Sequence, residues 1–517
     1  MNKKQRTVFY SIIAVIFVIG VGFIVNQTPS RPISNLLTAT IGGKVTSSNP
    51  YANLQRGFGY NTEGLARTLE QFLTSPTART SAVSVARQSD ATILRFPGGN
   101  VGNFYHPYTP GYGYVRSEIP NNSFYNASFN WSQTQTENLI YPFMRYAKEM
   151  GISRILYVAN VYTGNIDEII FVVDTLQKNG FEVVGIELGN EFYYKPFIDK
   201  IKTGANYAKL VEPIAKRLKE KYPNIPLAVA AWEHTGAISE KMGFAKINDW
   251  NKAIANIPGI DAFAIHKYAN IRSCEAQTTL VNTFNCIKNL THYDHFDWGN
   301  RLVDYHASFN QNKRLWFTEF NVEDSSKRVG NTFLHAANIY EILLQTFNQK
   351  FASKFDAVIH HNFLATGRGM AAFYRESDST TTVNKSAQAY AIEMYQEILA
   401  RATKPSSGMV RPSILDKREF VYRLIETPTG HVLMFINKSA NSVTVTASDG
   451  SSKALTQIIG QNVLGGPDIW SAIDGKPAYR DNGKNWAVST LAPTTLSVSN
   501  NNLVIPKYHL GWVEFRK

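Results

Sequence analysis

Two glutamates follow apolar, strand-like segments of the sequence and lie 128 positions apart. The segment VVGIELGNE ends at Glu191, and the segment RLWFTEFN contains Glu319 two residues before its end. Two carboxyl groups about 5 to 5.5 Å apart can cleave a glycosidic bond with retention, one as acid and base and the other as nucleophile. The sequence therefore predicts a catalytic pair, provided that the fold brings these two side chains together.

Eight strand-like segments alternate with amphipathic helical segments over about 350 residues, which predicts a (β/α)8 barrel with loop insertions. A doubly wound open sheet is the alternative. Functional groups of such a barrel project from the C-terminal ends of its strands, so Glu191 on the fourth strand and Glu319 on the seventh would face each other across the mouth. The predicted strands are 56–61, 91–99, 154–161, 183–191, 226–233, 261–268, 314–321 and 356–364.

The pattern changes near Lys404, where the helical signal ends and short strand-like pieces such as REFVYRLIE and HVLMFINKS begin. Their spacing, with Gly, Asn and Ser turns between them, is typical of a β-sandwich. We therefore expect a catalytic barrel over 51–403 and a sandwich over 404–517. Residues 31–50 are predicted to be a linker, and an added strand of the sandwich is the alternative.

The N-terminal 30 residues form a separate element. Lys3, Lys4 and Arg6 precede an 18-residue apolar run from Val8 to Val25. This run is just long enough to span a membrane at about 1.5 Å per residue, and no convincing cleavage site follows it. The sequence favours an uncleaved signal anchor over a cleaved signal peptide. Either element predicts export, with the protein facing the periplasm or cell exterior or secreted.

The cysteine count and the net charge add two further expectations. Cys274 and Cys286, the only cysteines, are spaced for a local disulfide in an exported protein, and two unrelated buried thiols are the alternative. The formal charge is +13, but no dense Lys/Arg block occurs, which argues against nucleic-acid binding. A generally basic solvated surface explains the charge better than a preference for an anionic polymer.

Three motifs resemble those of a known group of enzymes. LGNE at 188–191, LRFPGG at 94–99 and WFTEFN at 316–321 are similar to motifs of the clan of retaining glycoside hydrolases built on a (β/α)8 barrel. The likeness is greatest to its heparanase-like β-glucuronidase and α-L-arabinofuranosidase branches, which also carry a sandwich after the barrel. The resemblance implies that Glu191 is the acid/base, that Glu319 is the nucleophile and that Asn190 binds the sugar 2-hydroxyl.

The same resemblance implies roles for three further side chains. Arg95 resembles the arginine that steadies the nucleophile, and His266 and Tyr268 resemble the pair at the end of the sixth strand. Two departures stand beside these matches. The acid/base is followed by Phe192-Tyr193-Tyr194 where many relatives have proline, and the sequence around Glu319 matches neither branch closely. The sugar specificity of either branch is therefore not carried over.

Other side chains near the predicted mouth are candidates for contact with substrate. The segment from Asn100 to Trp131 is rich in aromatic residues that could stack on sugar rings, or that could simply pack against one another. One of the neighbours His360 and His361 should face the mouth, because successive strand residues point to opposite sides. The remaining substrate-binding candidates are Asn100, Tyr105, Tyr193, Trp232 and His361.

Several simpler interpretations of these residues stay open. Glu191 could cap a helix, Glu319 could be an ion-pair partner, and His266 could be a core histidine. Arg95 could hold a barrel carboxylate, for which Glu187 is the expected partner. PGGNVGN lacks the spacing of a phosphate-binding loop, and no HExxH-type cluster occurs, so we expect neither a cofactor nor a metal.

The sequence thus predicts a retaining glycoside hydrolase that acts on a polysaccharide or oligosaccharide by double displacement. Its expected partners are a carbohydrate substrate and, through the N-terminal segment, a membrane. Two alternatives remain. A non-catalytic carbohydrate-binding surface protein could have inherited the barrel, and a transglycosylase could use the same two glutamates.

Overall fold

A computed structural model describes most of the chain after residue 48. The predicted signal anchor at 1–30 and most of the predicted linker at 31–50 lie outside the described residues. Among the residues described, no helix combines the length and the apolar character needed to cross a membrane. The described ranges are 49–62, 76–121, 134–194, 196–232, 244–270, 312–323, 329–348, 352–366, 371–377, 379–476 and 489–517, with isolated residues at 369 and within 126–132 and 274–289.

Eight parallel strands close into a barrel in the order of the chain, each paired with its sequence neighbours and the eighth with the first. The predicted barrel is confirmed, and the open-sheet alternative is wrong. The strands are β1 Phe58–Asn61, β2 Ile93–Phe96, β3 Arg154–Val158, β4 Glu182–Glu187, β5 Leu227–Ala230, β6 Ala262–Asn270, β7 Arg314–Glu323 and β8 Phe355–His360.

Helices surround the barrel because apolar residues recur on one face of each and pack against the strands. The clearest helix start is at Asn165, whose side chain accepts from the backbone of Asp167 and Glu168 while Glu168 reaches back in a capping box. The helices are α1 Ala52–Gly57, α2 Pro76–Gln88, α3 Ile140–Met150, α4 Ile166–Lys178, α5 Phe197–Ile201, α6 Gly204–Lys221, α7 Phe244–Ala255, α8 Phe333–Gln345 and α9 Ala387–Leu399.

A dry cluster fills the barrel interior around Trp316, which is fully buried. Gly185 of β4 makes room for this ring, since a Cβ at that position would lie 2.4 Å from the indole. Two residues farther along their strands, on the same face, Ile93 is followed by Arg95 and Gly185 by Glu187. The interior therefore changes from apolar to charged within one layer of side chains, toward the C-terminal ends of the strands.

An irregular register in β7 positions Glu319. Ile265 of β6 pairs with Phe317, but the next residue, His266, pairs with Glu319, so Thr318 is an extra residue at a bulge. Bulges beside active sites re-aim side chains. Glu319 lies inside β7, which continues to Glu323 and so is two residues longer than the predicted strand 314–321.

Two antiparallel sheets follow the barrel and form the predicted sandwich. A separate apolar core that includes Phe420, Leu433, Phe435 and Val513 lies between them. A small sheet of β9 Leu364–Thr366, β10 Phe373–Arg375 and β11 Asn384–Lys385 precedes α9. The sandwich strands are β12 Lys404–Pro405, β13 Met409–Pro412, β14 Phe420–Glu426, β15 Gly430–Asn437, β16 Val443–Ser448, β17 Ile458–Gly465, β18 Ala492–Pro493, β19 Val498–Ser499, β20 Asn502–Ile505 and β21 His509–Arg516.

The sandwich packs on the last two barrel helices through buried polar contacts. Lys438 after β15 forms an ion pair with Glu341 of α8 at 2.7 Å, and both side chains are almost fully buried. The indole of Trp512 on β21 donates to Glu397 of α9 at 2.8 Å. A buried charge that loses its partner is strongly destabilising. The barrel and the sandwich are therefore joined by buried polar contacts whose loss would destabilise the protein.

Candidate active site

The carboxylate of Glu319 is held by donors from three other strands of the barrel. Its Oε1 accepts from Nη1 of Arg95 at 2.7 Å and from Nδ2 of Asn61 at 3.1 Å. Its Oε2 accepts from the hydroxyl of Tyr268 at 2.6 Å. Both oxygens of this buried group thus have strong partners, which fixes the direction in which the carboxylate points.

Arg95 is the central cation of the site and is fully buried. Its guanidinium donates through Nε and Nη2 to both oxygens of Glu187, at 2.9 and 2.8 Å. The same Nη2 donates to Oδ1 of Asn190 at 2.7 Å. Desolvation opposes the charge of Arg95, but Glu187 and Glu319 outweigh it and raise its pKa. Both interpretations of Arg95 from the sequence hold geometrically, because it binds Glu187 and also the predicted nucleophile.

The electrostatic surroundings keep Glu319 ionised. Burial alone would raise the pKa of this carboxyl group, but the charges of His266, His361 and Arg95 and the Tyr268 hydrogen bond lower it to about 2. An ionised carboxylate with its lone pairs fixed in direction is the form that attacks an electrophilic carbon.

Glu191 lies on different structure from Glu319. It does not end β4, as the sequence predicted, but follows four residues after Glu187, the last residue of that strand. The turn that carries it begins at Gly189, whose φ is 91° and where a Cβ would lie 2.2 Å from the ring of Phe192. Glu191 itself has a φ of 47°, in the left-handed region that non-glycine residues seldom adopt. The strand ends in this tight turn, and the turn presents the carboxyl group.

His266 connects the two glutamates. Its Nδ1 lies 2.9 Å from Oε1 of Glu191 and 3.7 Å from Oε2 of Glu319. Its Nε2 lies 3.1 Å from the hydroxyl of Thr318, the residue of the β7 bulge. Burial lowers the pKa of His266, but Glu319 and the hydrogen bond with Glu191 outweigh it, and the net pKa is raised. A protonated His266 donates from Nδ1 toward Glu191.

The carboxyl groups of Glu191 and Glu319 lie close together. One oxygen of Glu191, one of Glu319 and a ring nitrogen of His266 all lie within 4.8 Å of one another. Retaining glycosidases have carboxyl groups about 5 to 5.5 Å apart, while inverting enzymes need about 6.5 to 9.5 Å to admit a water molecule. The nearest oxygens of Glu191 and Glu319 are thus closer to the retaining range than to the inverting range.

The same three side chains have the geometry of a metal-ligand set. Two local charges oppose that use. The guanidinium of Arg95 donates directly to Glu319, and the raised pKa of His266 favours its protonated form, which cannot ligate a cation. These two groups disfavour a dication at this position.

The second histidine of the site, His361, differs from His266 in charge. Its Nδ1 lies 2.7 Å from Nδ2 of Asn61, so this nitrogen is the acceptor and the proton of the neutral ring is on Nε2. Burial is the main cause that lowers its pKa to about 4. The sequence left His360 and His361 undecided. The structure places His361 3.6 Å from Glu319, whereas His360 is buried against Gln388 at 2.9 Å.

Asn190 is held from two sides. Besides the bond from Arg95 to its Oδ1, its Nδ2 donates to Oδ1 of Asn100 at 3.0 Å. Asn103 contacts the main chain of Asn190, accepting from its N–H at 2.9 Å and donating to its carbonyl at 2.8 Å. The structure thus brings the predicted residues Asn190, Asn100 and Arg95 into one network.

The predicted aromatic contacts divide into two groups. Tyr193, two residues after Glu191, stacks on Trp232 with ring centroids 5.4 Å apart and an interplanar angle of 6°, and both rings are buried. Tyr105 is 1% exposed, packs edge-on against Phe96 and donates to Asn138 at 2.5 Å. Tyr105 therefore lies in the core and not on a substrate surface as predicted.

Other rings of the 100–131 segment are also buried, notably Phe104, Tyr112 and Tyr114, which favours the alternative that this segment packs on its own aromatics. Phe124, Tyr125 and Trp131 lie outside the described residues. The predicted disulfide between Cys274 and Cys286 is confirmed, with Cα atoms 5.5 Å apart. Lys288, two residues beyond this bridge, pairs with Glu419 of the sandwich at 2.9 Å.

The sequence analysis missed Asn61, Asn103 and Thr318. Asn61 ends β1, so the rule that polar residues at barrel strand ends are functional would have found it. Asn103 repeats Asn100 at a spacing of three in a short turn. The role of Thr318 depends on a bulge, for which the sequence carries no signal.

The fold is shared with solved structures of α-L-arabinofuranosidases. The family 51 enzyme from Bifidobacterium longum superposes with a TM-score of 0.60 at 14% identity, over 85% of this chain and 90% of that chain. The Thermotoga maritima enzyme in complex with arabinose gives 0.55 at 14% identity, over 85% and 90%. The Thermotoga petrophila enzyme gives 0.53 at 15% identity, over 84% and 90%.

No protein-family model and no curated protein sequence matches the chain. The likeness to the three solved structures is at 14 to 15% identity, a level at which it establishes the fold. The chain thus has the barrel-and-sandwich architecture that the sequence motifs predicted.

Proposed function

We propose that the protein is a retaining glycoside hydrolase with Glu319 as nucleophile and Glu191 as acid/base. The observation that carries the proposal is that one carboxyl oxygen of Glu191 and one of Glu319 lie within 4.8 Å of each other. The surroundings of the two carboxyl groups differ. Glu319 is fixed by three donors and has a lowered pKa, while Glu191 lies on a turn beside a histidine. The structural likeness to α-L-arabinofuranosidases supports the proposal of a glycoside hydrolase.

The reaction follows from these positions in two displacements. A carboxylate oxygen of Glu319 attacks the anomeric carbon while Glu191 gives its proton to the departing oxygen, and the glycosidic bond breaks. The glycosyl-enzyme ester is then attacked by water, which loses a proton to the carboxylate of Glu191 as the ester bond breaks. Glu319 leaves as a carboxylate, and the sugar is released with its original anomeric configuration.

Arg95, Asn61 and Tyr268 serve the nucleophile in both steps. They bind the carboxylate in the free enzyme and receive it again when the ester is hydrolysed. Preorganised donors of this kind stabilise charge without having to reorient during the reaction. His266, whose pKa is raised by Glu319 and Glu191, lies where it can hold the Glu191 carboxylate between proton transfers.

The substrate class we propose is a neutral or acidic oligosaccharide or polysaccharide. The solved relatives with a matching fold are α-L-arabinofuranosidases, so an α-L-arabinofuranoside is the first sugar to test. We also propose that the enzyme works outside the cytoplasm. The apolar segment Val8–Val25 and the Cys274–Cys286 disulfide support export.

The test is covalent labelling of the full-length protein with a panel of glycosyl epoxide probes in pentofuranose, hexose and uronic acid configurations, followed by intact mass and peptide mapping. We expect one adduct, on Glu319, from one configuration. Glu319→Gln should not be labelled, whereas Glu393→Gln, which removes a partly buried ion-paired glutamate of α9, should be labelled as wild type.

An adduct on a different carboxylate would overturn the assignment of the nucleophile. A folded protein that takes up no probe and releases no sugar from the matching aryl glycosides would contradict the enzyme and favour a binding protein. Products that join the sugar to an added alcohol or sugar instead of water would identify a transglycosylase.

A further inference from the structure

A short 3-10 turn after β2 carries two asparagines toward Asn190. The turn spans Asn100–Phe104 and follows two glycines with positive φ, Gly98 and Gly99. A 3-10 helix has three residues per turn, so side chains at positions i and i+3 lie on the same face. Asn100 and Asn103 therefore point the same way, and both contact Asn190.

The two asparagines contact different parts of Asn190. Asn100 accepts from its side chain, whereas Asn103 accepts from its backbone N–H at 2.9 Å and donates to its backbone carbonyl at 2.8 Å. Asn103 is fully buried, with 0% of its surface exposed. Its amide group thus gives Asn190 the paired donor and acceptor that a neighbouring strand would give, three residues after β4 has ended.

The peptide unit that Asn103 holds leads directly into Glu191. The carbonyl of Asn190 and the N–H of Glu191 belong to the same peptide plane, so the position of that plane determines where the Glu191 backbone begins. The next backbone torsion, φ of Glu191, is 47°. On the other side, the carbonyl of Glu191 accepts from the N–H of Tyr194 at 2.9 Å. A left-handed backbone conformation of a non-glycine residue persists only when its surroundings impose it.

We propose that Asn103 is a positioning residue for Glu191, acting through the main chain of Asn190. The proposal rests on the proposed function, in which Glu191 is the acid/base. Both bonds of Asn103 to Asn190 are made with main-chain atoms, so Asn103 acts first on the backbone that leads into Glu191. The contact of Arg95 with Asn190 is made with the side chain of Asn190. An amide is suited to this role because it presents one donor and one acceptor side by side and does not titrate.

Asn138 offers a matched control in the same region of the chain. It is also a buried asparagine that clamps main chain, donating to the carbonyls of His106 at 2.9 Å and Thr109 at 2.8 Å. Its Oδ1 accepts from the Tyr105 hydroxyl. These partners lie in the segment after β2 and not in the Glu191 turn. Replacing Asn138 therefore measures the effect of losing buried asparagine hydrogen bonds that do not hold Glu191.

The kinetic test compares kcat/KM for two aryl glycosides of the sugar that labels Glu319. The phenyl glycoside needs a proton on its leaving group, and the 2,4-dinitrophenyl glycoside does not. For Asn103→Ala we expect a loss of about 100-fold on the phenyl glycoside, within the range of general acid catalysis, and a much smaller loss on the dinitrophenyl glycoside. Asn138→Ala should change both substrates by the same factor. Equal losses on both substrates in Asn103→Ala would overturn the proposal.

A crystal structure of Asn103→Ala decides the question without using activity. We expect Glu191 to leave its left-handed conformation and its contact with His266, while the Arg95 contacts with Glu187 and Glu319 persist. An unchanged Glu191 would overturn the positioning role. If the alanine variant does not fold, Asn103→Asp, which keeps the shape and the acceptor but lacks the N–H donor, replaces it in both tests.

The two failures are distinguishable. Wild-type protein that is neither labelled nor active would refute the proposed function, yet the structure of the variant would still show whether Asn103 holds the Glu191 turn. Active wild type with an undisturbed Glu191 in the variant would refute only the role of Asn103.

Discussion

The two glutamates of the site are held in opposite ways. Glu319 lies within a strand, its side chain is 4% exposed, and donors from three other strands bind both its oxygens. Glu191 lies on a turn, its side chain is 12% exposed, and its partner is a titratable histidine. One carboxyl group is fixed by side-chain hydrogen bonds, and the other is fixed through its backbone.

The difference matches what each group is proposed to do. A nucleophile must stay ionised and aimed, which burial among permanent donors achieves. An acid/base must take up and release a proton in each cycle, which requires access to substrate and water and a partner that can adjust. The barrel supplies rigidity on the β7 side of the mouth, and the turn after β4 supplies a group that can exchange protons.

Removing the proposed nucleophile should have the largest effect on turnover. Glu319→Ala should lower turnover by about 10⁴-fold or more, because no other group can form the glycosyl-enzyme. Added azide should attack the activated aryl glycoside from the vacated side and give a glycosyl azide of inverted configuration, identified by NMR. An azide product of retained configuration would place the nucleophile elsewhere.

Removing the acid/base should have a smaller and substrate-dependent effect. Glu191→Ala should lose about 10²- to 10⁴-fold on poor leaving groups, the usual contribution of a general acid. Azide should here react with the glycosyl-enzyme and give a product of retained configuration. Steady-state rates with and without azide, together with NMR of the product, check both statements, and inversion in this variant would exchange the two roles.

A single donor to Glu319 should matter less than either glutamate. Asn61→Ala removes one of three side-chain donors to the carboxylate, and a hydrogen bond to a charged group is worth about 1.5 to 3 kcal/mol. We expect a fall in kcat/KM of about 10-fold. The acid limb of its pH profile should move to higher pH, because a carboxylate that loses a donor has a higher pKa.

A matched control for Asn61 is Asn437 in the sandwich, a buried asparagine that donates to the carbonyls of Ile505 and Pro506. Asn437→Ala should lower stability and leave the acid limb in place. A profile of Asn61→Ala that is unshifted relative to wild type would contradict the role of Asn61 at the nucleophile.

The last expected effect concerns stability in acid and not catalysis. The pKa of His361 falls from 6.5 to about 4 on folding, so the unfolded chain binds a proton in this interval that the folded chain refuses. Stability should therefore decline as pH drops from 6.5 to 4, by up to about 1.4 kcal/mol per pH unit for this group. The lowered pKa of Glu319 acts in the same direction below its ordinary value of 4.5, and its contribution is lost as pH falls through about 2.

Urea unfolding of wild type and His361→Gln at several pH values between 4 and 7 measures how much His361 contributes to the pH dependence of the free energy of unfolding. The variant should lose less stability per pH unit than wild type. Curves that stay parallel would show that His361 is protonated equally in the folded and unfolded chains.

The sequence predicted the barrel and the glutamate pair because both depend on local signals. Each strand is a short apolar run, and Glu191 and Glu319 stand just past or within such runs. The sequence also predicted Glu187 as the carboxylate partner of Arg95, because Glu187 lies two positions before Glu191 in the same strand-like run, and the contact is present. These inferences needed no knowledge of distant contacts.

What the sequence could not give depends on distant partners or on irregular backbone. Asn61 bonds to a residue 258 positions away, and Asn103 to one 87 positions away. The strand end marks Asn61 as a candidate, but no local signal identifies the distant partner of either residue. The bulge at Thr318 breaks the two-residue alternation that strand arguments use. Tyr105 was misassigned because an aromatic ring with a hydroxyl suits a buried hydrogen bond as well as a sugar surface.

The ion pair between Lys438 and Glu341 bears on how this chain can be cut or recombined. The helix that carries Glu341 follows the strand of Glu319 in the chain, so a barrel expressed alone would remove Lys438 from Glu341 and expose the helix face that the sandwich covers. Swapping the C-terminal domain for an unrelated module should yield insoluble protein unless these partners are replaced together. The barrel and its sandwich should therefore be transferred together when this chain is recombined.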